Sequence, residues 1–264
     1  MPRVDVPLAR LKFAQTQRRD MWWVAPLVVF TILSSFIGYA TWAALQNEHY
    51  SWGPYLSPFY SPLLFASVGK SWFGKPPGWF PHWMSPAMLI LGIPAGFRLT
   101  CYYYRGAYYK AFWADPPSCA VGEPRKSYLG ERSFPLVIQN VHRYFLYLAI
   151  IFIFILGWDV WEAMWWPDAS GTRHFGIGLG TLVLALNVGL IASYTLGCHS
   201  LRHLVGGWMD RFSGRPVRKA AYDCVSCLNR RHMLFAWCSL FAVMGADLYV
   251  RLCSMGVIND WRII

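Results

Sequence analysis

The sequence predicts an all-α integral membrane protein, a bundle of five transmembrane helices. Of its 264 residues, 56% are apolar and only 14% are charged, whereas an ordinary soluble domain carries about 25% charged residues. Several uninterrupted apolar stretches are long enough for a bilayer core, which is about 30 Å thick and takes about 20 helical residues to cross. This composition excludes a disordered chain, a coiled coil and an average soluble enzyme.

Five apolar stretches supply the predicted spans. The first has no formal charge from Met21 to Gln46, and the fourth has none from Phe175 to Leu201. The stretches do not alternate between polar and apolar residues, so a transmembrane β-barrel is excluded. The spans are predicted at residues 21–46, 83–104, 135–158, 175–201 and 232–250, in one transmembrane domain that covers residues 1–264.

The basic residues predict the orientation of these spans. The chain has a formal net charge of +11, and most of its Lys and Arg lie before span one, between spans two and three, and between spans four and five. Cytoplasmic loops of membrane proteins are enriched in Lys and Arg. We therefore expect a cytoplasmic N-terminus in a multi-pass protein of the inner or plasma membrane. Because topology accounts for the charge, nucleic acid is not expected as a partner.

Potential metal ligands collect at the cytoplasmic ends of the predicted spans. This layer holds five of the seven Cys and four of the seven His. They are Cys101, Cys119, Cys198, Cys224, Cys227, His142, His199, His203 and His232. His199 and His203 are four residues apart and share a helix face, but Cys198 can point at the same centre as His199 only if the helix ends there.

The mixed ligand types leave several kinds of site open. Thiolate and imidazole together suit zinc or an iron–sulfur centre, and two Cys with two His form the ligand set of a Rieske [2Fe–2S] cluster. Two His on opposed helices would suit a haem instead. A structural zinc held by Cys224, Cys227, His232 and His203 is a further alternative. The plainest interpretation is that each Cys packs as a small apolar residue.

Charged residues inside the predicted spans are the other chemical signal. Arg98 lies near the end of span two, where it could reach the lipid headgroups or face a cofactor or a quinone carbonyl. Asp247 and Arg251 lie four residues apart near the end of span five. This spacing predicts that they pair with each other.

Five segments together resemble the membrane subunit of actinobacterial-type succinate dehydrogenases, the respiratory complex II. The resemblance covers nearly the whole chain, and its joint pattern is more specific than any single segment. The segments are Arg98–Arg105, Asp115–Val121, Gln139–Phe145, Gly197–His203 and Arg231–Trp237.

The resemblance implies a five-helix anchor for a flavoprotein subunit and an iron–sulfur subunit on the cytoplasmic face. Electrons would pass from succinate through flavin and clusters to a quinone in the membrane. Better-known members hold two haems on four His from different helices, but spans one and two of this chain contain no His. The mixed Cys and His set therefore favours a Rieske-type cluster, with haem b as the alternative.

These observations predict a membrane anchor that carries a redox centre and a quinone site. Succinate is expected to react in another chain, because no Gly-rich dinucleotide motif is present. The rival functions are a transporter or channel, and a purely structural anchor with zinc or without metal. The predicted ligands are Cys101, Cys198, His142 and His203, with His199 as the main substitute. The predicted quinone-binding residues are Arg98, Tyr102, His232 and Trp237.

Overall fold

The computed structural model describes residues 12–66, 71–81, 83–125, 133–134, 136–168, 170–207 and 211–264. The chain divides into two compact units, Met1–Ser35 with Leu99–Asn140 and Phe36–Arg98 with Val141–Ile264. The α-helices of the described residues are α1 (Val24–Gln46), α2 (Ala87–Thr100), α3 (Tyr102–Tyr108), α4 (His142–Glu162), α5 (Leu179–Leu196), α6 (His199–Gly206), α7 (Pro216–Asn229) and α8 (His232–Ser254).

Four helical segments of the described ranges are long and apolar enough to cross a membrane: α1, Val137–Glu162, α5 and α8. They confirm the predicted membrane-type helical bundle. The predicted span 83–104 is longer than the helix observed there, because the apolar helix α2 has only 14 residues. The total of five membrane spans stays a prediction, and so does the cytoplasmic position of the N-terminus. Pro135, the predicted start of span three, lies outside the described residues.

Two backbone breaks shorten the helices relative to the predicted spans. The backbone is extended at Cys101, with ψ 130°, between α2 and α3. It is extended again at Cys198, with ψ 140°, between α5 and α6. The second break separates Cys198 from the helix that carries His199, which is the condition that the sequence set for the two side chains to point at one centre. The Cys198 thiol lies against His142.

The second unit is built around α5, which packs along α8 and α4. Gly180 of α5 allows a close approach, because an added Cβ would lie 2.4 Å from the ring of Tyr55. The Tyr55 hydroxyl donates to Asp260 Oδ2 at 2.8 Å, and the Tyr249 hydroxyl donates to Asp260 Oδ1 at 2.5 Å. The backbone N–H of Gly180 also donates to Asp260 Oδ1, at 2.8 Å, which fixes the C-terminal segment against the start of α5.

Short β-hairpins close the loops of this unit. Strand β1 (Ser51–Trp52) pairs with β2 (Tyr55–Leu56), and β3 (Trp165–Pro167) pairs with β4 (Arg173–Phe175). A 3₁₀ turn at Pro58–Tyr60 follows β2. The Tyr60 hydroxyl donates to the carbonyls of Ala43 and Ala44 in the last turn of α1. Carbonyls at a helix C-terminus have no partner within the helix, so this contact satisfies them.

The first unit joins the N-terminal segment to the loop after α3. Ala14 N donates to Gly122 O at 3.0 Å, and Gly122 N donates to Gln15 O at 2.9 Å. The rings of Phe30 and Phe112 lie 4.8 Å apart between their centroids. Backbone pairing and apolar contact therefore hold this loop onto the start of α1.

A buried ion pair links three segments of the second unit. Arg251 Nε donates to Asp247 Oδ2 at 2.7 Å, and both side chains are almost fully buried, which confirms the predicted pair. Asp247 also accepts from the hydroxyls of Tyr39 and Ser57. Arg251 Nη2 donates to Ala43 O at 2.7 Å. The pair thus ties α8 to α1 and to the segment after β2.

We expect Asp247→Ala to lower the free energy of unfolding by about 3–5 kcal/mol, because it leaves the Arg251 guanidinium buried without its counter-ion. Thermal unfolding of the purified protein in detergent measures the change. The matched control is Asp223→Ala. Asp223 also pairs with a basic residue four positions away, Lys219, but both of these side chains are exposed. Its expected cost is about 1 kcal/mol or less. Equal losses in the two variants would contradict the prediction.

Candidate functional site

A buried imidazole–thiol pair lies at one end of the second unit. His142 Nε2 and Cys198 Sγ are 3.1 Å apart, and the two residues are 8% and 2% exposed. His142 opens α4, whereas Cys198 precedes α6 and accepts a weak bond from Ser200 N at 3.4 Å. The break before α6 therefore lets the Cys198 side chain turn toward α4.

A row of four rings extends from this pair. The Phe97 ring stacks on His142 with centroids 4.7 Å apart, and it meets the Tyr194 ring edge-on at 5.5 Å. Tyr194 in turn stacks on His232 at 4.9 Å. The row joins α2, α4, α5 and α8, so it connects the imidazole–thiol pair to the beginning of the last helix.

The Arg98 guanidinium is held beside this row. Its Nη1 donates to Ala236 O at 3.2 Å, and its Nη2 donates to Ser239 Oγ at 3.0 Å. Its Cζ lies 4.8 Å from the centroid of the Tyr194 ring, a favourable cation–π distance. Two hydrogen bonds and one ring contact thus orient a charge that an apolar bundle would otherwise expel.

An apolar cavity of about 430 Å³ begins at Arg98. Arg98, Tyr194 and Thr195 form its polar end, and apolar side chains from α1, α2, α4, α5 and α8 dominate the rest of its lining. A cavity with one polar end and apolar walls fits an amphiphilic molecule with a small polar head.

The predicted pair His199 and His203 lies on α6. Their Nε2 atoms are 3.1 Å apart, which confirms that the two side chains share a helix face. Partial burial lowers the pKa of His199 below its usual value, and the neighbouring His203 and Arg202 lower it further. The neutral form of His199, which is the form that binds a metal, is therefore favoured.

The predicted ligands Cys101, Cys198, His142 and His203 stay a prediction. Within the described ranges, no group of three or more His, Cys, Asp and Glu side chains could hold a metal ion. His142 pairs with Cys198, and His203 pairs with His199 instead. A Rieske cluster and metal binding are thus not supported by the observed side-chain positions.

Other predicted residues lie elsewhere. Cys101 and Tyr102 belong to the first unit, where Cys101 is buried and the Arg105 guanidinium lies 4.1 Å from the Tyr102 ring centroid. Cys224 and Cys227 of the alternative zinc site are exposed on α7. Trp237 is half-buried on α8 and follows Ala236, whose carbonyl binds Arg98.

Sequence reasoning missed Phe97, Tyr194 and Ser239. Tyr194 and Thr195 are polar residues within a predicted span, and buried polar groups inside a membrane commonly mark function. That signal could have identified Tyr194. Phe97 carries no such signal, because an aromatic residue beside Arg98 looks the same whether it faces lipid or a binding site.

Comparisons with known proteins agree over nearly the whole chain. Residues 24–256 match the family described as actinobacterial succinate dehydrogenase subunit SdhC. The chain is also similar to a chain of a solved structure, the "Mycobacterium smegmatis Sdh1 complex in the apo form", with 43% identity and a TM-score of 0.87. That match covers 97% of this chain and 96% of the other. No match is found among curated proteins.

The lowered pKa of His199 predicts a loss of stability in mild acid. Its usual pKa is 6.5. Below that pH His199 is protonated in the unfolded chain but stays neutral in the folded chain. The free energy of unfolding therefore falls as the pH decreases toward the folded-state pKa of His199. We expect His199→Gln to reduce the fall in the midpoint of thermal unfolding between about pH 8 and pH 5. The control is His49→Gln, an exposed histidine bonded to Ser254. A similar reduction in both variants would contradict the prediction.

Proposed function

Since the chain belongs to the actinobacterial succinate dehydrogenase SdhC family, we propose that it delivers electrons to a quinone bound beside Arg98. It is a membrane subunit of an oxidoreductase whose succinate-oxidising site lies in another subunit. The observation that supports the proposal most directly is the cavity, which has Arg98 and Tyr194 at one end and mostly apolar walls elsewhere. A membrane quinone has the same division between a polar head and an apolar tail.

Arg98 has the chemistry that a quinone carbonyl requires. Its guanidinium can donate hydrogen bonds to a carbonyl oxygen, and it can stabilise the negative charge that develops on that oxygen during reduction. Its contacts with Ala236, Ser239 and Tyr194 hold it in place before the quinone binds. Such preorganisation removes the cost of orienting the charge during the reaction.

The protons that accompany reduction must come from other groups, because Arg stays protonated in proteins. Tyr194 lines the cavity, and His232 stacks on its ring. We assign these two side chains as the proton-exchanging groups nearest to the quinone. Trp237 lies on α8, the helix whose Ala236 and Ser239 accept hydrogen bonds from Arg98. The quinone-binding roles of Trp237 and of Tyr102, which is in the first unit, stay predictions from the sequence.

A redox centre near this site is the second part of the proposal. His142 and Cys198 supply one imidazole and one thiol in neighbouring positions, and a Rieske cluster uses both kinds of donor. The remaining donors, Cys101 with His203 or His199, stay predictions. When bound, such a cluster would supply one-electron transfer at a potential that its imidazole ligands raise. The alternative cofactor is haem b.

The partners follow from the family. We propose that the chain anchors a flavoprotein subunit and an iron–sulfur subunit at the membrane, on the face that carries its basic loops. The related Sdh1 protein is itself described as a complex. The cytoplasmic position of that face and the single-domain organisation over residues 1–264 stay predictions.

The rival functions have less support. A transporter needs polar groups along a path across the membrane, whereas the lining of the described cavity is mostly apolar. A purely structural anchor gives no reason to hold a guanidinium at the end of an apolar cavity. The family match also favours a role in electron transfer.

We expect Arg98→Leu to reduce succinate-dependent quinone reduction at least about tenfold, since one charge-assisted hydrogen bond is worth about 1.5–3 kcal/mol. Electron transfer from succinate to a soluble dye that accepts from the peripheral subunits should be unchanged. Ser239→Ala keeps the arginine but removes one of its partners, so a smaller loss is expected. If Arg98→Leu leaves quinone reduction intact, the proposed quinone site is wrong.

The redox centre is tested by metal analysis of the purified complex. We expect His142→Ala and Cys198→Ala each to remove the iron and acid-labile sulfide that belong to the membrane subunit, together with the corresponding EPR signal. Cys253→Ala is the control, because Cys253 is as buried as Cys198 but lies near the C-terminal end of α8. Haem absorption without additional sulfide would identify the alternative cofactor. Unchanged iron in both ligand variants would contradict the assignment.

A further inference from the structure

The cavity beside Arg98 is closed on one side and open on the other. The residues that line it from α4, α5 and α8, such as Ala149, Leu156 and Thr195, are buried or half-buried. The lining residues that are exposed at the outer surface of the described chain all come from α1 and α2. They are Ile37, Thr41 and Leu45 on α1, and Met88, Gly92 and Ala95 on α2.

These exposed residues form two stripes that border a gap. On α1 they are four residues apart, and on α2 they are four and three residues apart, so each set lies along one helix face. Helices α1 and α2 make hardly any close backbone contact with each other in the described residues. Small side chains at Thr41, Gly92 and Ala95 leave the gap wide. We call this gap the lateral opening.

The lateral opening runs along the long axis of the cavity. Met88 and Arg98 both line the cavity and are separated by about 15 Å along α2 at 1.5 Å per residue. The polar end at Arg98 can hold a head group, whereas the lateral opening faces the bilayer along the apolar part. A ligand with a polar head and a long apolar tail could therefore keep its head inside while its tail reaches the lipid.

We propose that the lateral opening between α1 and α2 is the passage for the isoprenoid tail of a long-chain membrane quinone. This inference rests on the quinone site proposed above and adds the route by which the tail of the substrate enters. The occupant is a quinone rather than a phospholipid chain, because the polar end carries a fixed guanidinium beside an aromatic ring and hydroxyl groups.

Gly92→Leu tests the lateral opening without disturbing the fold. An added Cβ at Gly92 meets no atom within 4 Å, so a larger side chain narrows the gap without a clash. Gly189→Leu is the matched control, because Gly189 on α5 is also exposed and also open to a Cβ, but does not line the cavity. Both variants are measured as the full complex in proteoliposomes, with a long-tailed quinone, a short-tailed quinone and a soluble dye.

We expect Gly92→Leu to lower kcat/KM for the long-tailed quinone at least about tenfold, the scale of discrimination that an apolar pocket provides. Reduction of the short-tailed quinone should change less than about twofold, and dye reduction should not change. Gly189→Leu should behave as the unchanged protein with all three acceptors.

Three results would overturn the inference. Equal losses with both quinones would mean that Gly92 affects the head-group site. Unchanged reduction of both quinones would mean that the tail takes another route. Loss of co-purifying phospholipid with normal quinone reduction would identify a lipid chain as the occupant. The Arg98→Leu measurement distinguishes these results from failure of the quinone site itself, because it tests head-group binding with either tail length.

Discussion

The absence of water from the bilayer core is the constraint on which the described structure depends, because every buried charge must find its partners within the protein. Helix α8 meets this demand twice. Near its beginning, Ala236 and Ser239 bind the guanidinium of Arg98 from α2. Near its end, Arg251 binds Asp247 on the same helix and the Ala43 carbonyl of α1. The two arginines therefore fix α8 against different helices at its two ends.

The two arginine sites differ in a way that separates stability from function. Arg251 is enclosed, with a carboxylate and backbone carbonyls around it, so its charge is neutralised within the protein. The contacts that hold Arg98 include a carbonyl, a hydroxyl and a ring. Its guanidinium also lines the apolar cavity, whereas Arg251 does not line it. Arg98 is therefore placed where it could contact a bound molecule, and Arg251 is placed where it stabilises the packing of α8 against α1.

The sequence predicted the helices and the Asp247–Arg251 pair because both depend on local patterns. Apolar length identifies a span, and a spacing of four residues places two side chains on one helix face. The ligand set could not be obtained in this way, since it depends on how each helix is rotated and where it breaks. The extended backbone at Cys198 is what lets this thiol approach His142, and the sequence gives no sign of that break.

The cavity was hidden from the sequence for a different reason. In a soluble protein an apolar patch on the surface stands out, but in a membrane protein the residues that face lipid and those that line an apolar cavity have the same chemistry. Ile37 and Leu45 could serve either purpose by composition alone. What distinguishes the cavity is the polar end, where Arg98 and Tyr194 meet. An empty cavity with such walls gains little from water. The quinone proposed above has the same two parts, because its carbonyl could accept from Arg98 while its tail fills the apolar length.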